Sequence, residues 1–393
     1  MIELSRGTAA QFEEIIDFLD FVFSKNSSGH DFPKMYPNLY HPTDESMHNL
    51  ITLREDGVLK GCILSYPWTL SIGGTELSIH GIGNVAAHPR TRGRGFMSTM
   101  MNYNVAELKK QGVAMSCLGG RRSRYNHFGY EGTGIRYFVG LGPTEVQTAF
   151  PDCAFDDITF RPFSADDTET AKLCKALYET KPYHFVYKTL DDYVLRFYDW
   201  HGKQPYAVYK NGEYIGFIAM ERIDPGSRRT ELREIVLKDE ADYERVIYAF
   251  IRRYDAYMRL RLAPWQLQYF TGLLRISGTP EICGSGMWNI LDWPKVLQAF
   301  LAFKSTFTTL EEGTLVIDIG EEGRFALTYQ NGIASAERTG APADLNLSPL
   351  DARYALFSPC PDTVLGSMLP IRVMRLVRSW FPLPLTTFDT ERV

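Results

Sequence analysis

Apolar and polar positions alternate along this chain in two distinct rhythms. Residues 8–23, TAAQFEEIIDFLDFVF, place apolar side chains at helical spacing, with Thr8 and Gln11 in the form of a capping box. A turn-rich, aromatic stretch follows, SKNSSGHDFPKMYPNLYHP. The period then shortens to that of strands. NLITLRE turns at Asp56-Gly57 into VLKGCILSYPWTL, and Gly73-Gly74 leads into TELSIHGIGNVAA. Phe96, Met97, Met100, Met101, Val105 and Leu108 mark one face of a helix that Gly112 ends. VAMSCL reads as a short buried strand, and RYNHFGYEG opens a further short helix or turn.

The pattern restarts near residue 150. ITFRPFSADDTETAKLCKALY reads as strand then helix, YAVYKNGEYIGFIAME as a hairpin turning at Asn211-Gly212, and ELREIVLKDEADYERVIYAFIRRYDAY as strand then long helix. The hairpins share a form, Asp56-Gly57-x-x-x-Gly61 against Asn211-Gly212-x-x-x-Gly216, and their surroundings share an order. An internal duplication is therefore expected. Past residue 285, MWNILDWPKVLQAFLAF reads as an amphipathic helix, TLVIDIGEEGRFALTYQNGIASAE as a β-meander and LSPLDARYALF as a helix. The expected class is α+β with mixed sheets, in three domains over 1–148, 149–284 and 285–393.

Length agrees with several domains, since 393 residues exceed one ordinary core. A formal net charge of −5 argues against a chain built to coat nucleic acid. The six cysteines include no C-x-x-C pair and the eight histidines show no ligand spacing, so reduced thiols, no metal and a cytoplasmic setting are expected. The N-terminus lacks the form of a signal peptide, and no stretch approaches 18 uninterrupted apolar residues, so no membrane span is expected.

One segment stands against the acidic average. In VAAHPRTRGRGFMSTMM, residues 85–101, a strand runs into Arg90, Arg92 and Arg94, with Gly93 and Gly95 among them, and a helix follows. The free N–H groups and dipole of a helix start attract anions, and glycines let an anion approach the backbone. The string is not a Walker A loop, and Ser98 stands where a dinucleotide fingerprint needs its third glycine. Arg90-x-x-Gly93-x-Gly95 does match the R/Q-x-x-G-x-G/A signature of the GNAT acyltransferases. Downstream, Tyr125-Asn126-His127-Phe128-Gly129-Tyr130 resembles that superfamily's Y-x-x-x-G-[FY] string.

With the three-part order and the terminal Thr386-Thr387-Phe388-Asp389, the chain resembles the Eis (enhanced intracellular survival) family of GNAT N-acetyltransferases over nearly its full length. The resemblance implies an active GNAT domain, a degenerate GNAT-like domain without the cofactor loop, and a sterol-carrier-protein-like domain. It implies acetyl-CoA as co-substrate. The backbone of Val85, Ala86 and Ala87 would face the pantetheine arm and polarise the acetyl carbonyl. Arg90, Arg92, Gly93, Arg94, Gly95 and Phe96 would surround the pyrophosphate, with Asn126 also at the cofactor. Tyr125 would be the general acid. In the family the C-terminal carboxylate assists the acceptor amine; this chain runs on through Glu391-Arg392-Val393, so Val393, Asp389, Glu391 or water could fill that role. Asp31, Phe32, Tyr36, Tyr40, Asp389 and Glu391 are candidates for the acceptor pocket.

The reading that follows is transfer of acetyl to a primary amine of a polyamine- or aminoglycoside-like molecule, or of a lysine side chain, by direct attack. The resemblance implies a homo-oligomer. The competing reading is a lipid- or acyl-CoA-binding module with a vestigial transferase domain; a nucleic-acid contact through the arginines is disfavoured by the net charge.

Overall fold

The computed structural model describes residues 1–25, 29–198, 202–278, 280–365 and 369–387. They form two compact units, one of Met1–Gly134 with Ser285–Leu385, the other of Ile135–Gly284 continuing at Thr386.

The first unit opens with β1 (Ile2–Arg6), α1 (Phe12–Phe23), α2 (Phe32–Met35), α3 (Asp44–Met47), β2 (Leu50–Glu55), β3 (Val58–Ile72), β4 (Thr75–Ala87), α4 (Phe96–Lys110), β5 (Met115–Leu118), α5 (Arg122–Tyr125) and β6 (Glu131–Gly132). The expected capping box is present in part: Gln11 Oε1 accepts the Thr8 N–H at 3.1 Å, and a 3-10 turn leads into α1. Helix α1 buries Ile15, Ile16 and Leu19 on one face of the sheet, and α4 buries Met100, Met101 and Leu108 on the other.

The second unit continues with β7 (Arg136–Leu141), α6 (Pro143–Ala149), β8 (Ile158–Pro162), α7 (Thr168–Tyr178), β9 (Tyr183–Phe185), α8 (Leu190–Leu195), β10 (Lys203–Lys210), β11 (Glu213–Glu221), β12 (Arg229–Leu237), α9 (Tyr243–Tyr254), β13 (Tyr257–Leu262), α10 (Thr271–Ile276) and β14 (Glu281–Cys283). The chain then returns to the first unit with β15 (Met287–Ile290), α11 (Trp293–Ser305), β16 (Gly313–Asp318), β17 (Arg324–Gln330), β18 (Ile333–Arg338), β19 (Leu345–Asn346), α12 (Pro349–Phe357), α13 (Asp362–Leu365) and α14 (Ile371–Trp380).

The two large sheets repeat one plan. The first runs β1-β2-β3-β4-β5-β15-β6 and the second β8-β10-β11-β12-β13-β7-β14. In each, the fourth and fifth strands are parallel and every other pair on these paths is antiparallel. The sixth place in each sheet is filled out of sequence, by β15 in the first and β7 in the second. Along the chain the second unit runs from Ile135 to Gly284, beside the expected boundaries at 148/149 and 284/285. Residues 135–149 belong with the second unit, because β7 pairs with β13 and β14. Residues 287–290, read above as the start of a helix, form β15 beside β5. The helix begins only where Asp292 caps it, accepting the Lys295 N–H.

The region after β15 packs within the first unit. Its sheet, β18-β17-β16-β19, is covered by α11, and α11 touches the β3–β4 turn, where Phe303 lies 3.9 Å from a Cβ built at Gly73. Arg353 on α12, 2% exposed, donates to Asn289 Oδ1 at 2.7 Å and to the Ile290 carbonyl at 3.2 Å. A buried guanidinium tied to a strand of the first sheet fixes this region within that unit.

His80 on β4 lies 3.0 Å from Ser65 Oγ on β3. Burial, and secondarily Arg6, pushes its imidazole down to about 4. A histidine whose folded value is depressed contributes stability above its unfolded value, lost as pH falls toward the folded one. The expected result is a decline in stability from pH 6.5 to 4, of roughly 3 kcal/mol at most. In a denaturant titration series, His80→Gln should flatten that decline; an equally steep decline in the variant would assign it to other groups.

Candidate active site

Strand β4 carries a bulge: Cys62 pairs with Ala86 and Leu64 with Gly83, so Asn84 and Val85 bulge against a single β3 residue. Asn84 adopts φ +46, and its amide nitrogen donates to the buried Tyr40 hydroxyl. Pairing of β4 with β5 ends at Ile82 and Leu118, although β4 runs on to Ala87. Beyond that point lies a cleft of about 1150 Å³. Val85 and Ala87 form one wall, Gly119, Gly120 and Tyr125 another, and the loop into α4 the floor.

That loop is stiffened from within. Thr91 Oγ1 donates to the His88 carbonyl at 2.7 Å, and the Arg90 N–H to His88 Nδ1 at 3.2 Å. Gly93 and Gly95 then take φ of +80 and +76, and no protein atom lies within 4 Å of a Cβ built on either. Gly95 is the N-cap of the 15-residue helix α4, and no side chain caps that end. Its first residues, Phe96, Met97 and Ser98, line the cleft with Arg92, Arg121 and Arg124. The free N–H groups, the dipole and three guanidiniums make an anion site.

The three loop arginines divide. Arg92 lines the cleft, whereas exposed Arg90 is not among its lining residues. Arg94 is committed elsewhere, donating to Glu55 at 2.9 Å and lying 4.8 Å over the Phe96 ring. Gly93→Val is therefore expected to weaken acetyl-CoA binding tenfold or more, because a β-branched residue resists φ +80 and its side chain enters the anion's space. Arg94→Ala should cost less than about threefold, as an exposed, salt-bridged group. Calorimetric titration of both variants checks the order; the reverse ranking would overturn this division.

Tyr125, 6% exposed, ends α5. Burial raises its phenol above the usual range, and neighbouring Arg124 works in the opposite direction. A Cβ at Gly120 would sit 2.6 Å from the Tyr125 ring, so this position leaves the ring its place. The Asn126 side-chain oxygen is buried without a partner, as a group awaiting a donor from a ligand would be.

Of the candidate acceptor residues, Asp31 is exposed and caps α2, accepting the Lys34 N–H at 3.2 Å. Phe32 is 2% exposed and packs against Phe23, with ring centroids 5.3 Å apart, and against Tyr40 at 5.8 Å. Tyr36 is half-buried beside that cluster. Asp389, Glu391 and Val393 lie outside the described residues. Sequence reasoning missed Val22 and Phe23, which line the cleft from the end of α1; Asp20, one turn before Phe23, is not among the lining residues. One Asp20 carboxylate oxygen is buried without a partner, and burial raises its carboxyl above the usual range, followed by a lowering from the Phe32 N–H. These residues sit in an ordinary amphipathic helix, where nothing in the spacing separates a lining side chain from a core one.

Among the described residues, no three His, Cys, Asp or Glu side chains gather as a metal would require, and no helix is long and apolar enough to cross a membrane.

With this geometry in view, residues 3–133 match the family described as acetyltransferase (GNAT) domain. No curated protein matches the sequence. Solved structures share the fold across the chain. A GCN5-related N-acetyltransferase from Anabaena variabilis has 16% identity and a TM-score of 0.70, covering 97% of each chain. Eis1 from Mycobacterium abscessus has 14% identity and a TM-score of 0.66, covering 100% of each chain. A probable N-acyltransferase from Enterococcus faecalis has 18% identity and a TM-score of 0.64, covering 89% of this chain and 88% of the other. Residues 3–133 are thus similar to a GNAT acetyltransferase domain. The match and the site together support an N-acetyltransferase, a class whose chemistry is acyl transfer from a coenzyme A thioester.

Proposed function

We propose that the protein transfers acetyl from acetyl-CoA to a primary amine of a small cationic molecule, of polyamine or aminoglycoside type, or to a lysine side chain. The observation that carries this reading is the convergence on one cleft of a helix N-terminus with no side-chain cap, a strand bulge whose outer edge is unpaired, and a buried tyrosine.

Acetyl-CoA supplies an activated acyl thioester. The N–H groups of Gly93 and of Gly95 to Ser98, with Arg92, Arg121 and Arg124, bind its phosphates. Backbone of Val85 to Ala87, paired with β3 at Ala86 and Ala87 but left without a β5 partner beyond Ile82, holds the pantetheine arm and polarises the acetyl carbonyl. The amine attacks that carbonyl carbon, a C–N bond forms, and the C–S bond breaks. Tyr125 gives its proton to the departing sulfur. The ammonium must first lose a proton, to water or to a carboxylate; Asp389, Glu391 and Val393 remain candidates from the sequence. We assign the negative charge on the acceptor side to Asp20, one helical turn from cleft-lining Phe23 and with one carboxylate oxygen buried without a partner.

Two GNAT-like domains in tandem account for the repeated strand order and polarity. The second carries Lys238-Asp239-Glu240-Ala241-Asp242 before its helix, an acidic run without glycine, and so cannot hold a diphosphate there. The region after β15 is read as the sterol-carrier-protein-like part.

The test is a panel of amines, including diamines, polyamines, aminoglycosides and lysine peptides, assayed for acetyl-CoA-dependent CoA release. Release with none of them, together with no thermal shift by any acyl-CoA, would sink the reading. Asp20→Asn should raise KM for a cationic acceptor about tenfold, the worth of one charged contact, with kcat nearly unchanged. An unaltered KM removes Asp20 from the acceptor side.

A further inference from the structure

The second unit keeps the device that opens the cofactor cleft in the first. In β12 the register shifts between Ala219–Glu234 and Met220–Leu232, leaving Arg233 as the bulged residue. Parallel pairing of β12 with β13 ends at Leu232 and Leu260, although the strands continue to Leu237 and Leu262. The corresponding events in β4 fall at Asn84–Val85 and at Ile82–Leu118. A cleft therefore opens at the matching place, lined by Arg136, Arg233 and Arg261.

The cleft in the second unit is filled. Thr386 and Thr387 lie in it, and about 10 Å³ of space remains. Thr386 is 2% exposed. The Tyr183 hydroxyl donates to its carbonyl at 2.5 Å, with the Tyr183 ring 4.6 Å from that of Trp265. Arg136 on β7 donates to the Thr387 carbonyl at 2.9 Å and to its Oγ1 at 3.3 Å. Arg233 and Arg261 are themselves held, Arg233 by Glu221 and Glu231, and Arg261 by Glu231. The cleft thus offers fixed donors to two successive backbone carbonyls. A pantetheine arm, which also carries two amide groups in series, asks for the same kind of recognition.

We propose that the second unit is a peptide-binding module, its acyl-CoA cleft converted to hold an extended segment of its own chain at Thr386–Thr387. Loss of the glycine-arginine loop removed the anion site, while the bulge and the splayed strands were kept for a ligand with carbonyl acceptors and no phosphate. Arg136 and Tyr183 are the residues that recognise it.

The full-length chain tests this by timed digestion with a carboxypeptidase, followed by intact mass. In the wild type, trimming should stall at Thr387. In Arg136→Ala/Tyr183→Phe it should pass Thr386 at least tenfold faster, and Arg136→Lys should lie between. Glu234→Ala, which weakens the same unit at the buried Arg196 pair and leaves Arg136 and Tyr183 in place, separates recognition from loosening when every protein is assayed well below its melting point. Trimming in the double variant at the wild-type rate, or equal acceleration in Glu234→Ala, would overturn the proposal. Calorimetry supplies a second arm. One acetyl-CoA per chain is expected, and two per chain would show that the second cleft still accepts the cofactor.

Discussion

Tyr125→Phe is expected to lower kcat for amine acetylation by about 10²–10³-fold while acetyl-CoA affinity changes less than about twofold. The substitution removes one oxygen and keeps the ring, so the contact across Gly120 and the burial of the side chain are preserved. On the proposed mechanism, what is lost is the proton for the departing sulfur. Burial keeps the phenol protonated at neutral pH, as an acid must be, and Arg124 restrains how far its affinity for the proton climbs. Steady-state kinetics with the best acceptor of the panel, beside calorimetry with acetyl-CoA, provide the two readouts. An unchanged kcat would remove Tyr125 from proton transfer.

The parts of this site that could be read from the sequence are those with local causes. The anion loop declares itself because glycine and arginine alternate just where a strand gives way to a helix, and Tyr125 because its spacing to Gly129 and Tyr130 is fixed by one short turn. The hairpins at Asp56-Gly57 and Asn211-Gly212 were legible for the same reason: both take left-handed pairs, φ +49 and +79 in the first, +51 and +83 in the second. Features made by distant partners were not legible. β7 and β15 are apolar runs that suit any buried strand, and nothing in Arg136–Leu141 tells which sheet it joins. Asp31, a candidate as an acidic group in the irregular segment, also caps the short helix α2, a local role its sequence could not separate from a pocket one. Asp20 gave no signal, since one acid on a helix with Glu13, Glu14 and Asp17 reads as a solvated face until the packing beside it is seen.

The second large effect concerns stability. Glu234→Ala is expected to destabilise the fold by about 3–5 kcal/mol. Glu234 and Arg196 form an ion pair at 2.9 Å, with side chains 2% and 1% exposed. Around the guanidinium stand the rings of Tyr178, Tyr193 and Phe197 at 4.4–4.5 Å, with Tyr187 at 5.5 Å. Aromatic faces attract a cation but do not replace a carboxylate in a dry core. Truncating Glu234 removes the buried carboxylate that faces Arg196 at 2.9 Å, so the cost exceeds the worth of the pair itself. The double variant Arg196→Met/Glu234→Leu should recover most of the loss, because it removes both charges and keeps the volume. Chemical denaturation of the three proteins measures this; a double variant no more stable than Glu234→Ala would mean that packing, not charge, sets the penalty.

The exchanged strands have a consequence for how the chain is made. The first sheet lacks its sixth strand until Met287–Ile290 has left the ribosome, some 170 residues after β5. Through that interval β5 presents a bare edge, the kind of template on which chains aggregate. A gene fragment ending at residue 148 would carry that edge permanently, together with a β7 strand severed from its neighbours. Such a fragment should accumulate in inclusion bodies, whereas residues 1–134 joined by a short linker to 285–385 should give soluble material. The borrowed strands thus make synthesis of the whole chain a condition for finishing its first sheet.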